Sequence, residues 1–257
     1  MSMSPAAQRT IVWGARFALI GIMLVAWVIA INHSKIAMFF LGSPKVIAEH
    51  LYDWFATGKI FRHLGITLLE TMLSFVIGCS LALVLGLWLA LNDIMARICD
   101  PFIKGLNSMP RLIMAPIFAV WFGLGIWSKV ALGVTLVFFV VFFNVFQGIR
   151  EVSPVLIANA RMLGARPRDL VRRVYIPSAM SWVFSSLHLS VGLAFVGAVI
   201  GEYLGSSAGV GYLILEAEGT FDIETVLAGV ILLTTCALTL DFIITLVEDA
   251  LLKWQAK

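Results

Sequence analysis

The chain has 257 residues, 61% of them hydrophobic and only 13% charged. Soluble domains run at about 45–50% apolar and about 25% charged, so this is a polytopic membrane protein, all-α, with room for about six transmembrane helices of about 20 residues each and none for a sizeable soluble domain. The formal charge of +3, without a soluble fold or basic stretches interleaved with aromatics, excludes nucleic acid as a partner.

In chain order, Arg9 and Arg16 precede an apolar run that ends near Ile31. Trp27 and other bulky residues fill its end and no small-x-small cleavage site follows, so an uncleaved first span over residues 12–31 is favoured over a signal peptide. Residues 32–63 are polar. Within them Ser43-Pro44 reads as a helix start, followed by Val46, Ile47, Leu51, Trp54 and Phe55 at helical spacing. This is a short amphipathic helix at the outer membrane interface. The second span covers residues 64–91 and a polar turn with Arg97 covers 92–101. The third span covers 102–122 and contains Pro110 and Pro116, which are tolerated in lipid only where neighbours satisfy the freed backbone groups. Gly123-Leu124-Gly125 closes it, and the fourth span covers 130–146. The fifth covers 182–204, an acidic Gly-rich loop 206–224, and the sixth 226–246; Lys253 and Lys257 close the chain.

Between Gly148 and Pro177 lie six arginines: Arg150, Arg161, Arg166, Arg168, Arg172 and Arg173, opposed only by Glu151 and Asp169. Each costs about 2.5–3.5 kcal/mol at a bilayer centre, so the stretch lies in water, and its charge assigns it to the cytoplasmic side. Six spans then place both termini on that side and the acidic 206–224 loop opposite. Lys35, Lys45, Lys59 and Arg62 in the first outer stretch run against this pattern without reversing it. The basic loop reads as a helix over 155–163, a corner at Gly164, a second helix from Pro167 through Val174, and a stop at Pro177. Its apolar residues Val155, Leu156, Met162, Leu163, Leu170, Val171 and Val174 suit insertion into a partner's groove, with the arginines as a rim that sets orientation. An amphipathic segment held on anionic lipid is the alternative.

The segment Ala158-Asn159-Ala160, Gly164 and Val174-Tyr175-Ile176-Pro177 resembles the EAA loop of inner-membrane permeases of ABC importers. That family's pattern is Glu-Ala-Ala, three residues, Gly, nine residues, then Ile-x-Leu-Pro. Gly164 and Pro177 match at the family spacing, and Ala158 stands where the family has its leading Glu. Further motifs resemble the subfamily that imports sulfonates, taurine, nitrate and bicarbonate. They are Arg62-His63-Leu64 with Thr67, Pro110, Pro116, Trp121-Phe122-Gly123-Leu124-Gly125 with Ser128-Lys129, Ala160-Arg161-Met162-Leu163-Gly164-Ala165, Glu202-Tyr203-Leu204-Gly205 and Gly209-Val210-Gly211-Tyr212-Leu213-Ile214, with Asp241 and Glu248 as acids of the last span. The match runs from about Phe61 to Trp254.

The resemblance implies a type I ABC importer permease fold in a bacterial inner membrane. Residues 1–62 would form an N-terminal span with a periplasmic interfacial helix, and 63–254 the permease core with its coupling loop at 148–177. It implies a pore made with a second permease copy, most simply a homodimer. Two ATPase subunits would hold ATP and Mg, and a periplasmic or lipid-anchored solute-binding protein would deliver a sulfonate, nitrate, related organic anion or heteroaromatic solute. Leu156, Ala158, Ala160, Arg161, Gly164, Ala165, Arg166, Ile176 and Pro177 would form the ATPase-coupling element. Consistent with divided labour, the chain has no G-x-x-x-x-G-K-[ST] phosphate loop.

Polar residues in the spans are candidates for pore work, because intramembrane ionisable groups face bundle interiors or water. Asn107, Asn144, His188 and Glu202 are candidates for the translocation path, with Glu70 and Asp241 beside them. His188, Gly192 and Phe195 share one face of the fifth span. Ser190, Ala194, Gly197 and Gly201 form a small-residue stripe on another, for which close helix packing is the preferred reading. For His188, pore lining and a hydrogen bond to a neighbouring span stand level. Glu202 and Asp241 near span ends read as hydrated. An ion-gradient transporter with Glu70, His188 and Asp241 as a proton relay is the alternative function. A membrane enzyme has no motif to support it. Cys79, Cys99 and Cys236 form no C-x-x-C pair and read as inert thiols.

Overall fold

The computed structural model describes residues 5–251, with side chains over 11–246 except Phe17 and Ser181. Lys253, Trp254 and Lys257 lie outside the described residues, and the side chains of Arg9 and Glu248 outside the described ones. In chain order the helices are α1 (Pro5–His33), α2 (Lys35–Leu41), α3 (Pro44–Ala56), α4 (Lys59–Ala90), α5 (Asp93–Asn107), α6 (Arg111–Phe122), α7 (Ile126–Arg150), α8 (Pro154–Met162), α9 (Pro167–Leu170), α10 (Ile176–Leu204), α11 (Val210–Gly219) and α12 (Ile223–Leu251). Among the described residues, α1, α4, α7, α10 and α12 are long and apolar enough to cross a membrane, and α6 is a shorter apolar helix.

The third expected span differs. Residues 92–101, read as a turn, form the first half of α5, capped by Asn92, whose side chain accepts from the Met95 N–H at 3.2 Å. The helix is amphipathic: Met95, Cys99 and Ile103 pack on the core, while Arg97, Asp100 and Lys104 lie towards the other side. The chain then leaves helix at Ser108–Pro110, because proline biases the residue before it away from helical geometry. What remains apolar is α6, whose 12 residues span about 18 Å, short of a bilayer core of about 30 Å.

The chain divides into two compact units. One takes the chain up to Gly58 with Ile214–Leu232. Here α3 starts as its sequence predicts, with Ser43 before it and Pro44 in its first turn, and buries Ile47. Asp222 caps α12 by accepting from the Thr225 N–H at 3.0 Å and its hydroxyl at 2.7 Å. Partial burial pushes the Asp222 carboxyl up, but those bonds and nearby His50 outweigh it and hold it below the usual carboxylate range.

The other unit takes Lys59–Leu213 and residues from Leu233 onward. Its centre is a three-helix seam of α4, α7 and α10. Between Ile60 and Leu89, which are buried near its ends, the buried face of α4 is small or polar: Thr67, Glu70, Thr71, Ser74, Gly78, Cys79, Ala82 and Gly86. Large apolar residues such as Leu69, Met72, Val76 and Val84 face outward, the inverse of a soluble helix and the pattern expected in lipid. Glycines let the helices touch. A Cβ on Gly78 would lie 2.8 Å from Val137, one on Gly86 3.0 Å from Val145, and one on Gly197 2.6 Å from the Gly133 Cα. Ser190 and Ala194 have no exposed surface, and Gly201 lies against Lys129. The small-residue stripe of α10 is therefore a packing surface. Below it Val137, Val141, Phe142, Val145 and Ile149 of α7 meet Cys79, Ala82 and Leu89 of α4 and Ala179 and Ala194 of α10.

Candidate functional site

The basic loop folds as a bracket whose corner follows from its sequence. Leu163 ends α8, and Gly164 adopts φ +85, a left-handed conformation that favours glycine. Its N–H donates to the Arg161 carbonyl at 2.9 Å, and the Ala165 N–H reaches back to the Ala160 carbonyl at 3.0 Å. This pair of bonds is a Schellman motif, which satisfies carbonyls left open at a helix end. Ala160 and Ala165, bonded through it, both pack on the buried cluster of Val152, Leu170 and Val174. The second arm starts at Pro167, in the first helical turn, with the Arg166 N–H donating to Asp169 Oδ2 at 3.3 Å.

Pro177 does not stop this arm. From α9 the chain passes through a wide turn, Val171–Tyr175, into α10 as one rod, and the Ile176 N–H donates to the Val171 carbonyl five residues back. Pro177 then falls in the first turn of α10. Proline in an ordinary helix loses a bond and strikes the carbonyl four residues earlier; the widened turn accommodates both effects. The bracket is thus continuous with a membrane-spanning helix.

The apolar residues of the bracket divide into two sets. Leu170 and Val174 are buried inside the chain, so they are not available to a partner, as the sequence reading had them. Met162 and Leu163 are 86% and 89% exposed, and Val155 and Leu156 are exposed as well. Arg161, Arg166, Arg168, Arg172 and Arg173 are also exposed, as is Ala158. Beside the corner lies a cavity of about 320 Å³ lined by Ala160, Leu163, Gly164, Ala165, Asp169, Arg173 and Val174. Arg150 pairs with Asp93 of α5 at 2.7 Å; exposed pairs of this kind contribute about 0–1 kcal/mol.

The four path candidates do not converge. Asn107 ends α5 in an exposed position and binds Arg111. Asn144 is half-buried, and its amide donates to the Val140 carbonyl at 2.8 Å. His188 Nε2 lies 3.0 Å from Asp241 Oδ1, so the last two spans are joined by a polar pair. His188, Gly192 and Phe195 line one cleft with Asp241.

Glu202 is not hydrated: it has no exposed surface. Its carboxylate accepts from the Thr67 hydroxyl at 2.6 Å and the Gly211 N–H at 2.7 Å. Thr67 also accepts from the Val210 N–H at 3.0 Å, and the Gly209 N–H donates to His63 Nδ1 at 3.2 Å. Segment 205–211 is thereby fixed to the first turns of α4. Gly209, at φ +114, has no room for a side chain beside the Glu202 carboxyl. Glu70 and Lys129, each 1% exposed, complete the network. Lys129 donates to the Leu124 and Gly125 carbonyls and lies within electrostatic reach of both glutamates. From the sequence, Lys129 stood only as part of a family motif with no role, and Glu70 as a candidate for pore work or a proton relay rather than for a buried network. The available signal was periodicity: Thr67, Glu70, Thr71 and Ser74 recur at helical spacing in an apolar run, which marks an inward polar stripe.

A bundle of apolar helices that carries a basic, helix-corner-helix bracket on one end of a membrane-spanning rod defines the membrane subunit of a transporter. The chain belongs to the family described as binding-protein-dependent transport system inner membrane component, whose model matches residues 82–253. The putative aliphatic sulfonates transport permease of Bacillus subtilis (strain 168) is 30% identical over 243 residues, covering 95% of this chain and 88% of that protein. The formylaminopyrimidine transport permease of Halalkalibacterium halodurans is 33% identical over 223 residues, covering 85% and 87%. The fold is similar to that of a chain in the inward-facing methionine ABC transporter, with a TM-score of 0.64 at 19% identity, covering 77% of this chain and 96% of that one. The protein is an ABC importer permease subunit, and the ion-gradient reading falls away.

Proposed function

We propose that this chain forms the pore of an ATP-driven importer and that the bracket couples it to two ATPase subunits, which bind ATP and Mg. The carrying observation is the bracket's geometry. Met162 and Leu163 stand exposed at a rigid corner, arginines surround them, and the second arm continues into α10 without a break. A rigid element of this kind passes a push at one end to the spans at the other. Leu156, Ala158, Ala160, Arg161, Gly164, Ala165, Arg166, Ile176 and Pro177 make up the coupling element: Ala160, Gly164 and Ala165 build the corner, and Ile176 and Pro177 join it to α10. The bracket faces the cytoplasm, because its arginines belong on the positive side; both termini share that side, with α5 and α6 together making the third crossing.

A second copy of the chain completes the pore, with residues 63–254 as its core and 1–62 as an appended span and periplasmic helix. A solute-binding protein delivers the cargo from outside. The cargo is a small organic solute of the kind named for the relatives, a sulfonate or a nitrogen heterocycle. His188, with Asn107 and Asn144, is assigned to the path; Glu202 serves it by fixing segment 205–211.

The test is Gly164→Leu. A Cβ there meets nothing within 4 Å, so the chain accommodates the side chain at a backbone cost of about 1–2 kcal/mol. The variant is expected at normal level in the membrane with uptake lost. Uptake by the natural protein is expected to stop on ATP depletion and to survive an uncoupler. Normal uptake by Gly164→Leu would refute the coupling role.

A further inference from the structure

The cleft between α10 and α12 holds about 310 Å³ and is lined by His188, Phe195, Leu238, Asp241 and their neighbours. That volume is at the low end of small-molecule sites, which run to about 300–1,000 Å³. Of its lining residues only His188 and Asp241 are ionisable. They lie 3.0 Å apart, and Asp241 is the more exposed, at 60% against 36%. We infer that this cleft is a solute subsite of the translocation path, and that it takes a neutral or cationic solute bearing N–H donors and rejects a free anion; this rests on the importer reading above.

An ionised carboxylate accepts hydrogen bonds only, and has about four lone-pair positions. His188 occupies one, so an exposed Asp241 keeps acceptors for a solute's N–H groups. The pair has a net charge of −1 with a neutral imidazole and zero with an imidazolium. In neither state does the cleft offer an uncompensated cation. A sulfonate or nitrate entering it would shed water without a counter-charge, which is costly away from bulk solvent. It would also meet Asp241 as a like charge, a repulsive element of the kind that sets specificity. Phe195, Leu238 and Ile244 supply apolar wall for the ring or carbon skeleton of a nitrogen heterocycle.

The test uses the assembled transporter in membrane vesicles, with Cys99→Ser and Cys236→Ala to remove the half-buried native thiols. An Ala237→Cys change places a thiol one helical turn from Asp241, on the cleft wall. Its rates of reaction with methanethiosulfonate reagents carrying a trimethylammonium or a sulfonate group are compared, each normalised to a free small thiol. The measurement is made without nucleotide and with ATP, and repeated with Asp241→Asn. The expected result is a cation-over-anion preference of about tenfold with Asp241, falling towards one with Asn. A ratio near one, an anion preference, or a ratio that Asp241→Asn leaves unchanged overturns the charge selection and leaves the importer reading standing. No reaction with either reagent in either state means that water does not reach the cleft, which overturns the subsite itself and its place in the path.

Discussion

A methyl group added at Gly197 of α10 tests the close approach of the central seam. Its Cβ would lie 2.6 Å from the Gly133 Cα and 3.0 Å from the Gly133 nitrogen. Both are backbone atoms of α7, so no side chain can rotate away. The nearer contact falls about 0.8 Å short of ordinary van der Waals distance, so α7 and α10 must separate. Overpacking of this kind costs about 1–3 kcal/mol, against a helix-propensity gain of about 1 kcal/mol for Gly→Ala. Gly65→Ala on α4 is the control: a Cβ there meets nothing within 4 Å, so it receives the propensity gain alone. The two variants should therefore differ by about 1–3 kcal/mol. At about 2–4 °C per kcal/mol for a chain of this size, the Tm difference is roughly 2–12 °C. Tryptophan fluorescence of the detergent-purified transporter, heated at one fixed scan rate, reads it. A Gly197→Ala variant as stable as Gly65→Ala would refute the seam geometry.

Three further variants, at two positions, probe the buried network and the bracket. Glu202→Ala removes the acceptor of the buried Gly211 N–H, leaves the Thr67 hydroxyl only the His63 carbonyl and leaves Lys129 only Glu70 as a nearby acid, and should destabilise the protein by about 1–3 kcal/mol. Glu202→Gln retains an acceptor and should cost less, with faster amide exchange confined to residues 205–213; unchanged exchange there in Glu202→Ala would refute the pinning. Leu163→Asp, at a position 89% exposed, should move Tm by no more than about 1–2 °C, since exposed substitutions are usually worth less than about 0.5 kcal/mol. The same variant should abolish co-purification of the ATPase; retained co-purification would remove Leu163 from the docking face.

Much of the architecture was legible in the chain because lipid leaves few choices. A long apolar run with few charges has to be a helix whose backbone bonds close within itself, and residues 12–31, 182–204 and 226–246 all lie inside helices that run six to nine residues longer. The corner at Gly164 was legible for the same local reason: a helix of good formers meets a residue free to take positive φ. The third span was not. Hydropathy averages over Ser108–Pro110, but the backbone cannot, and α5 turned its apolar stripe to the core while α6 packed separately, with Ala115 and Phe118 against Leu132 of α7.

By itself the sequence determined the class of the protein, every span but the third and the basic bracket, because these depend on composition, on the cost of arginine in lipid and on rules that act within one turn of backbone. Only the tertiary structure decided that Pro177 joins the bracket to α10 rather than ending it, that Leu170 and Val174 point into the chain, and that Glu70, Lys129 and Glu202 share one sealed network. Those outcomes depend on which residues meet across α4, α7 and α10, and distances between helices are set by three-dimensional packing that no local spacing encodes.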